Sequence, residues 1–242
     1  MAIFEREEEY IKILSMRAHT VKELSKQLFI SEPTVRRDVA KLKKKELVQC
    51  NNGTVSLLSA PPTNRTPVFI REAENMSKKE IVAEKAMQFI RDGSVIMLDS
   101  STSAHALLPH LLLFKNLLVI TNGAKTAIDL CTLGIKTICT GGEILTDCSG
   151  YVGHDAERTL RGYNADIAFF SCKGLNEQGI ATDGSINENL VRKVMMQQAK
   201  RKYLLCDSSK LGRTHLHTLC HANEVDEIVC DMPLPSFETE NI

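Results

Sequence analysis

The chain has 242 residues, of which 43% are apolar and 25% charged, and its 30 basic and 30 acidic side chains leave a formal net charge of zero. That length accommodates two domains, and the composition is that of an ordinary globular chain. No apolar run reaches the roughly 18 residues of a membrane span, and the acidic start MAIFEREEEYIKIL lacks the basic and apolar segments of a secretory signal. Eight scattered cysteines (Cys50, Cys131, Cys139, Cys148, Cys172, Cys206, Cys220 and Cys230) contain no CxxC pair and read as reduced, mostly buried thiols of a cytoplasmic protein.

Residues from about Phe4 to Leu58 read as one compact unit. Tyr10, Ile11 and Leu14 mark the apolar stripe of a first helix. Thr20 with Glu23 three residues on is a capping-box pattern, and Val21, Leu24 and Leu28 continue it as a helix over 21–28. Ser31 is placed to cap a third helix. Pro33 falls in its first turn, where backbone N–H groups lack partners anyway, and Val35, Val39 and Leu42 form its buried stripe. Leu47 to Cys50, Asn51-Asn52-Gly53, and Thr54 to Leu58 read as strand, tight turn and strand, a hairpin wing. The segment 59–66 (SAPPTNRT) reads as a linker.

Beyond the linker, helices and strands alternate. Ser77 to Glu80 reads as a capping box opening a helix to about Arg91. Strands are predicted over 94–99, 117–121, 135–140, 166–172, 202–207 and 226–231. Helices are predicted over 103–113, 123–133 and 187–200. Short apolar strands alternating with helices imply a mainly parallel sheet covered on both faces. The predicted organisation is therefore a small unit of helices and a hairpin over 1–58, a linker over 59–66, an α/β domain over 67–232 and a frayed tail over 233–242.

Charge is unevenly spread: Arg17 to Lys45 holds nine basic against three acidic residues, a local excess of six on a neutral chain. Such a field suits a polyanion-binding module. With Val35, Val39 and Leu42 facing the core, the opposite face of the third helix carries Pro33, Arg37, Ala40, Lys41 and Lys44, flanked by Thr34 and Arg36. Ser31, Pro33, Thr34, Arg36, Arg37, Lys41 and Lys44 are thus the candidate contacts to a double-stranded DNA operator. Arginine suits guanine edges or phosphates, and the lysines suit phosphates. Helix, turn, basic helix and wing together favour DNA binding over a small bundle with a solvated charged face.

The stretch TVKELSKQLFISEPTVRRDVAKLKKKELV resembles the N-terminal signature of the DeoR family of bacterial regulators, with Val21, Glu23, Leu24, Leu28, Ser31, Thr34, Arg36, Arg37, Asp38 and Leu42 on the family pattern. One departure lies in the wing, where the family commonly carries His-Gly-Gly-Ala and this chain has Cys50-Asn51-Asn52-Gly53. The resemblance continues to about Asp231. It implies a sensor domain related in fold to ribose-5-phosphate isomerase, so the expected fold class is a two-domain protein with a winged helix-turn-helix and an α/β sensor.

The sensor landmarks recur in order: Asp99-Ser100-Ser101-Thr102-Ser103, Thr121-Asn122-Gly123, Gly141-Gly142, Lys173-Gly174, and Asp207 to Gly212 with Lys210. Each follows an apolar strand, at the edge where open α/β sheets bind ligands. Ser100 to Ser103 offer hydroxyls and backbone N–H groups for a phosphate, Lys210 offers a cation, and Asp99 suits a sugar hydroxyl. A second departure is Ser101 where the family often has glycine.

The resemblance implies a repressor of a carbohydrate-metabolism operon. Its effector is expected to be a phosphorylated sugar that relieves repression. The protein is expected to be at least a homodimer, with no membrane partner and no cofactor. A rival reading is a sugar-phosphate isomerase-like enzyme with an added DNA-binding domain, for which Asp99, Asp183, Glu188 and Lys210 would be candidate titratable groups. Carboxylates at such positions also serve as hydroxyl ligands, so no catalytic residue is assigned. A third reading is a C-terminal domain that only dimerises. His215, His217, Cys220 and His221 lack structural-zinc spacing, and no metal site is assigned to them.

Overall fold

A computed structural model of the chain describes residues 3–16, 18–45, 47–51, 53–57, 71–72, 74–145, 148–234 and 237. The chain divides into two compact units, Met1–Glu74 and Asn75–Ile242. Leu58 and the linker predicted over 59–66 lie outside the described residues.

The first unit contains α1 (Ile3–Met16), β1 (His19–Thr20), α2 (Val21–Gln27), α3 (Glu32–Lys44), β2 (Val48–Asn51) and β3 (Thr54–Leu57). Tyr10, Leu14, Leu24, Val35, Val39, Leu42, Val48 and Val55 form its core. The predicted capping box forms: Glu23 N–H donates to Thr20 Oγ1 at 3.2 Å and Thr20 N–H to the Glu23 carboxylate at 2.7 Å. The predicted cap at Ser31 does not. Ser31 holds the N-cap position of α3, but Pro33 supplies no N–H and the Ser31 hydroxyl is shared with Thr34 Oγ1 at 2.9 Å. The hairpin pairs Asn51 with Thr54, and β1 adds a third strand in the order β1-β3-β2. With two residues, β1 is too short to carry any alternation in the sequence.

The second unit runs α4 (Met76–Ala86), β4 (Val95–Leu98), α5 (Thr102–His105), α6 (Leu108–Leu111), β5 (Leu118–Thr121), α7 (Ala124–Thr132), β6 (Lys136–Cys139), β7 (Glu143–Leu145), β8 (Gly150–Val152), α8 (Gly153–Arg161) and β9 (Ala165–Ser171). It continues with β10 (Gly174–Leu175), β11 (Ile180–Asp183), α9 (Ile186–Gln198), β12 (Ala199–Leu205), β13 (His217–His221) and β14 (Glu227–Val229). Six strands form one parallel sheet in the order β14-β12-β9-β4-β5-β6. Ile96, Leu98, Val119, Ile167, Phe169 and Leu205 face a layer that includes α4 to α7. Met97, Ile120, Ala168, Phe170 and Leu204 face the other layer, with α8 and α9. Burial on both faces explains why these strands read as unbroken apolar runs.

Several boundaries differ from the sequence reading. The Ser77 capping box is not made, because the helix starts two residues earlier than that cap implies, at Met76, after Asn75 in the left-handed region (φ 54, ψ 31) that asparagine reaches at low cost. The helix predicted over 103–113 is two single turns, α5 and α6. Pro109 has no N–H and its ring collides with the carbonyl four residues back, so one continuous helix cannot form. The helix predicted to reach Lys200 ends at Gln198, and β12 begins directly. The small sheet β10-β11-β13 and the hairpin β7-β8 add antiparallel pairs to the expected parallel sheet. Within the tail predicted to fray, Phe237 packs into the second core cluster, beside Gly179.

All eight cysteines are free, and five are buried, while Cys131 and Cys139 are exposed. Among the described residues no helix is long and apolar enough to cross a membrane.

Candidate functional sites

On α3, Ser31, Pro33, Arg36, Arg37, Lys41 and Lys44 are exposed and Thr34 is half-buried, opposite the buried Val35, Val39 and Leu42. Arg36 leans toward Glu32 at 3.7 Å, one turn back, an exposed pair that holds the guanidinium weakly. Among the described residues Arg37, Lys41 and Lys44 have no ion-pair partner. One further feature of the first unit is not anticipated by the sequence reading. Phe29, in the turn between α2 and α3, has φ 53 and is 94% exposed.

In the second unit, a parallel sheet sends all carboxyl ends to one edge. The chain lays down β4, β5 and β6 in one direction and β9, β12 and β14 in the other, so the order reverses between β4 and β9. Crevices open at such a reversal. The landmark blocks end five adjacent strands there: Asp207 to Lys210 after β12, Lys173 after β9, Asp99 to Ser103 after β4, Thr121 to Gly123 at β5, and Gly141-Gly142 after β6. Lys210 spans the reversal. Its Nζ donates to Ser103 Oγ beyond β4 at 2.8 Å and to Ser171 Oγ at the end of β9 at 2.8 Å, and lies 3.2 Å from Asp207 Oδ2. Burial raises the Asp207 carboxyl, but the Lys210 charge and the Ser209 donor outweigh it, so the group sits below the usual carboxylate range.

Asp99 is buried and fully engaged. Its Oδ1 accepts from Ser101 N–H at 3.1 Å and from the Ser101 hydroxyl, and its Oδ2 accepts from Ser171 N–H at 3.2 Å and Arg192 Nε at 2.7 Å. Arg192, on α9, also reaches Asp183 Oδ2 at 2.9 Å and Glu188 Oε1 at 3.3 Å. Burial opposes its charge, but the Asp183, Asp99 and Glu188 carboxylates raise its pKa well above the ordinary value. Asp183 is raised by burial and lowered further by Arg192 and Lys173, leaving it below the ordinary range. Sequence reasoning does not reach Arg192, whose partners come from three separate segments.

Ser101, where the family often has glycine, has φ −75 and ψ 151, a conformation open to any residue. Its hydroxyl accepts from Ala104 N–H at 3.1 Å and so caps α5. Ser100, Thr102 and Ser103 are buried beside it. Thr121 Oγ1 accepts from Gly123 N–H at 3.0 Å, a turn role. Asn122 is 2% exposed; its Nδ2 donates to Tyr151 C=O at 2.9 Å, and its Oδ1 is buried without a partner among the described residues. Gly141 and Gly142 both have positive φ, and a Cβ on Gly142 would stand 2.9 Å from Val152 C=O at the start of α8. Lys173 is half-buried and donates its N–H to Thr182 C=O at 3.0 Å, while Gly174 pairs with Thr182 across β10 and β11.

The hairpin β7-β8 lies against this edge, a relation the sequence reading misses. Tyr151 N–H donates to Asn122 C=O at 2.7 Å and Ala124 N–H to Ser149 C=O at 2.8 Å. Gly150 faces Ser100 so closely that a Cβ there would fall 2.8 Å from the Ser100 Cβ. The His/Cys run lies partly on β13. Among the described residues, no group of three His, Cys, Asp or Glu side chains is arranged to hold a metal ion.

Comparison with known proteins fits both halves. Residues 6–60 match the family model of the DeoR-like helix-turn-helix domain, and residues 74–232 that of the DeoR C terminal sensor domain. The chain is 32% identical over 240 residues to the uncharacterized HTH-type transcriptional regulator YulB of Bacillus subtilis, covering 97% of this chain and 91% of that protein. It is 28% identical to the putative aga operon transcriptional repressor of Escherichia coli O157:H7, over 98% of this chain and 90% of that one. It is 26% identical to the glycerol-3-phosphate regulon repressor of Escherichia coli K12, over 89% and 85%. Among solved structures, eIF2B delta from Chaetomium thermophilum aligns with a TM-score of 0.50 at 14% identity, over 69% of this chain and 62% of that one. Ribose 5-phosphate isomerase A from Methanocaldococcus jannaschii aligns at 0.44 and 20% identity, over 57% and 55%. With both domain matches in chain order and the relatives aligned nearly end to end, this chain belongs to the DeoR family of helix-turn-helix transcriptional regulators.

Proposed function

We propose that this chain represses a carbohydrate-utilisation operon, and that a phosphorylated sugar held at the reversal between β4 and β9 weakens its grip on DNA. In this reading residues 1–58 bind the operator, 59–66 link, and 67–232 sense. The observation that carries it is Lys210, whose ammonium is held between Ser103 and Ser171 across the reversal. A cation among serine and threonine hydroxyls suits a phosphate. Asn122, with a buried open Oδ1, suits a sugar hydroxyl. Asp99, with both oxygens engaged, orders the loop and Arg192 and does not take the sugar directly. One relative is named a glycerol-3-phosphate regulon repressor, which favours a phosphorylated small-molecule effector.

The ion pairs speak against turnover. Isomerisation needs a general base positioned against the sugar, and the candidate groups here are engaged with one another. Asp99, Asp183 and Glu188 all share Arg192, and Lys210 is paired with Asp207. These groups hold one another in place.

On the DNA side, α3 enters the major groove, with Arg37 reading a base edge and Arg36, Lys41 and Lys44 on phosphates. One such helix offers little contact, so the protein acts as at least a dimer on repeated half-sites. The test is a gel-shift titration with a panel of sugar phosphates on wild type and on Thr102→Ala/Ser103→Ala. At least one compound weakens wild-type binding by roughly 5–150-fold, a typical allosteric coupling, and the double variant loses that response. If no compound alters wild-type binding, or the variant responds as wild type does, the site is misassigned.

A further inference from the structure

The turn that carries Lys210 is fastened to the residue where the chain enters the second unit. Asn75, in the left-handed region, donates from Nδ2 to Ser209 Oγ at 3.0 Å, across 134 residues of sequence. Ser209 gives its N–H to Asp207 Oδ1 at 3.1 Å and its hydroxyl to the same oxygen. The other oxygen of Asp207 faces Lys210 Nζ at 3.2 Å. The far end of α4 is held by the same region: Lys85 Nζ donates to the carbonyls of Cys230 at 2.8 Å and Asp231 at 3.2 Å. The Asp231 carboxylate in turn accepts from Ser208 N–H at 2.6 Å and Ser208 Oγ at 2.9 Å. One short turn, Ser208–Lys210, therefore secures both ends of α4 and presents Lys210 to the strand reversal.

We propose that the Asn75–Ser209 bond is a latch through which occupancy of the Lys210 site is reported to the segment leading into α4. This rests on the effector reading above. An anion at Lys210 Nζ competes with Asp207 for the same cation. As Asp207 yields, its other oxygen turns, and Ser209, bonded there through both N–H and hydroxyl, moves with it. Asn75 then loses its partner. Asparagine tolerates its left-handed backbone, so it is the amide bond to Ser209 that fixes where α4 begins. A ligand acts on a distant element only through a link that differs between two states, and this chain of bonds is such a link.

Hydrogen exchange on the full-length protein, without ligand, tests it. The reporters are the amides of Lys78 and Lys79, both donated to Asn75 C=O at 3.0 Å. Lys210→Met and Ser209→Ala each speed exchange there by roughly tenfold, as expected of a local opening, and the double variant goes no further than Ser209→Ala alone. Unchanged exchange in Lys210→Met, or additive increases in the double variant, overturns the latch. Asn75→Gly supplies a second readout, because glycine keeps the backbone conformation and removes only the amide. It retains the thermal shift given by glucose 6-phosphate, fructose 6-phosphate or glycerol 3-phosphate, whichever stabilises wild type, and loses that compound's effect on DNA binding. A full wild-type response in Asn75→Gly overturns the latch. If none of the three compounds stabilises wild type while the exchange result holds, the latch stands and the sugar-phosphate reading falls.

Discussion

Arg192 Nε donates to Asp99 Oδ2 at 2.7 Å, joining the middle of α9 to the end of β4 where neither side chain is more than 4% exposed. Asp183 and Glu188 share the same guanidinium. Removing the cation leaves three carboxylates in a space closed to water. Arg192→Leu is therefore expected to destabilise the second unit by about 3–5 kcal/mol, the usual cost of leaving a buried charge without its partner. Urea unfolding measures this directly. A loss under about 1 kcal/mol, the size of an exposed pair, would show that the cluster is solvated.

The same cluster fixes the sign of a pH effect. Burial alone would raise Asp183, and Arg192 with Lys173 more than reverses this; Asp207 behaves likewise with Lys210. A folded pKa below the unfolded value of 3.8 gives stability that is complete above that value and is lost as pH falls through the lower folded one. Wild-type stability should thus drop in acid, below about pH 4. In Arg192→Leu the sign at Asp183 reverses, since burial then acts without the main opposing charge and favours the protonated acid. The deficit of the variant should shrink between about pH 7 and about pH 4.5, as read from unfolding curves at both. A deficit independent of pH would mean that packing, not charge, is what the arginine supplies.

Much of this arrangement is written locally in the sequence, and the rest is not. The Thr20–Glu23 capping box, the Val35–Val39–Leu42 stripe and the doubly buried strands each follow from residues within a few positions of one another. Pro109 is a local signal too, and it marks the break between α5 and α6. Arg192 differs. Glu188 and Arg192 stand four apart on α9, which on an isolated helix reads as a solvated pair; only the fold brings Asp99 and Asp183 to it. Lys210 likewise meets Ser103 and Ser171 because β9 and β4 are neighbours, a fact of strand order that no local pattern contains. The hairpin β7-β8 has strands of three residues with glycine and tyrosine, too short for periodicity, yet it backs the Ser100 loop.

That backing makes Gly150→Ala informative. The added methyl would meet the Ser100 Oγ and Cβ and stand 3.1 Å from Cys148 Sγ. Ser100 lies between β4 and the capped start of α5, so it has little room to retreat. Overpacking of this kind costs about 1–3 kcal/mol and should displace the Ser100 to Ser103 loop. Any thermal shift from sugar phosphates should be lost while operator binding without ligand persists, because the first unit is not touched. Wild-type stability together with a wild-type ligand response would refute the role assigned to this loop.

Arg37→Ala tests the DNA face. Arg37 lies opposite the buried stripe of α3, is exposed, and has no ion-pair partner among the described residues, so its removal creates no cavity and strands no charge. The melting temperature should stay at the wild-type value. If Arg37 reads a base edge, operator affinity falls by about 1–3 kcal/mol with selectivity relaxed at one position. If it holds only a phosphate, affinity falls evenly across sequences and the salt dependence weakens by about one ion. Fluorescence anisotropy on operator and scrambled DNA at several salt concentrations separates the two outcomes. Arg36→Ala provides the internal comparison, since Arg36 leans on Glu32 and is assigned a phosphate: it should lower affinity for both DNAs alike. Unchanged binding of Arg37→Ala at every salt concentration would mean that α3 does not present this face to DNA.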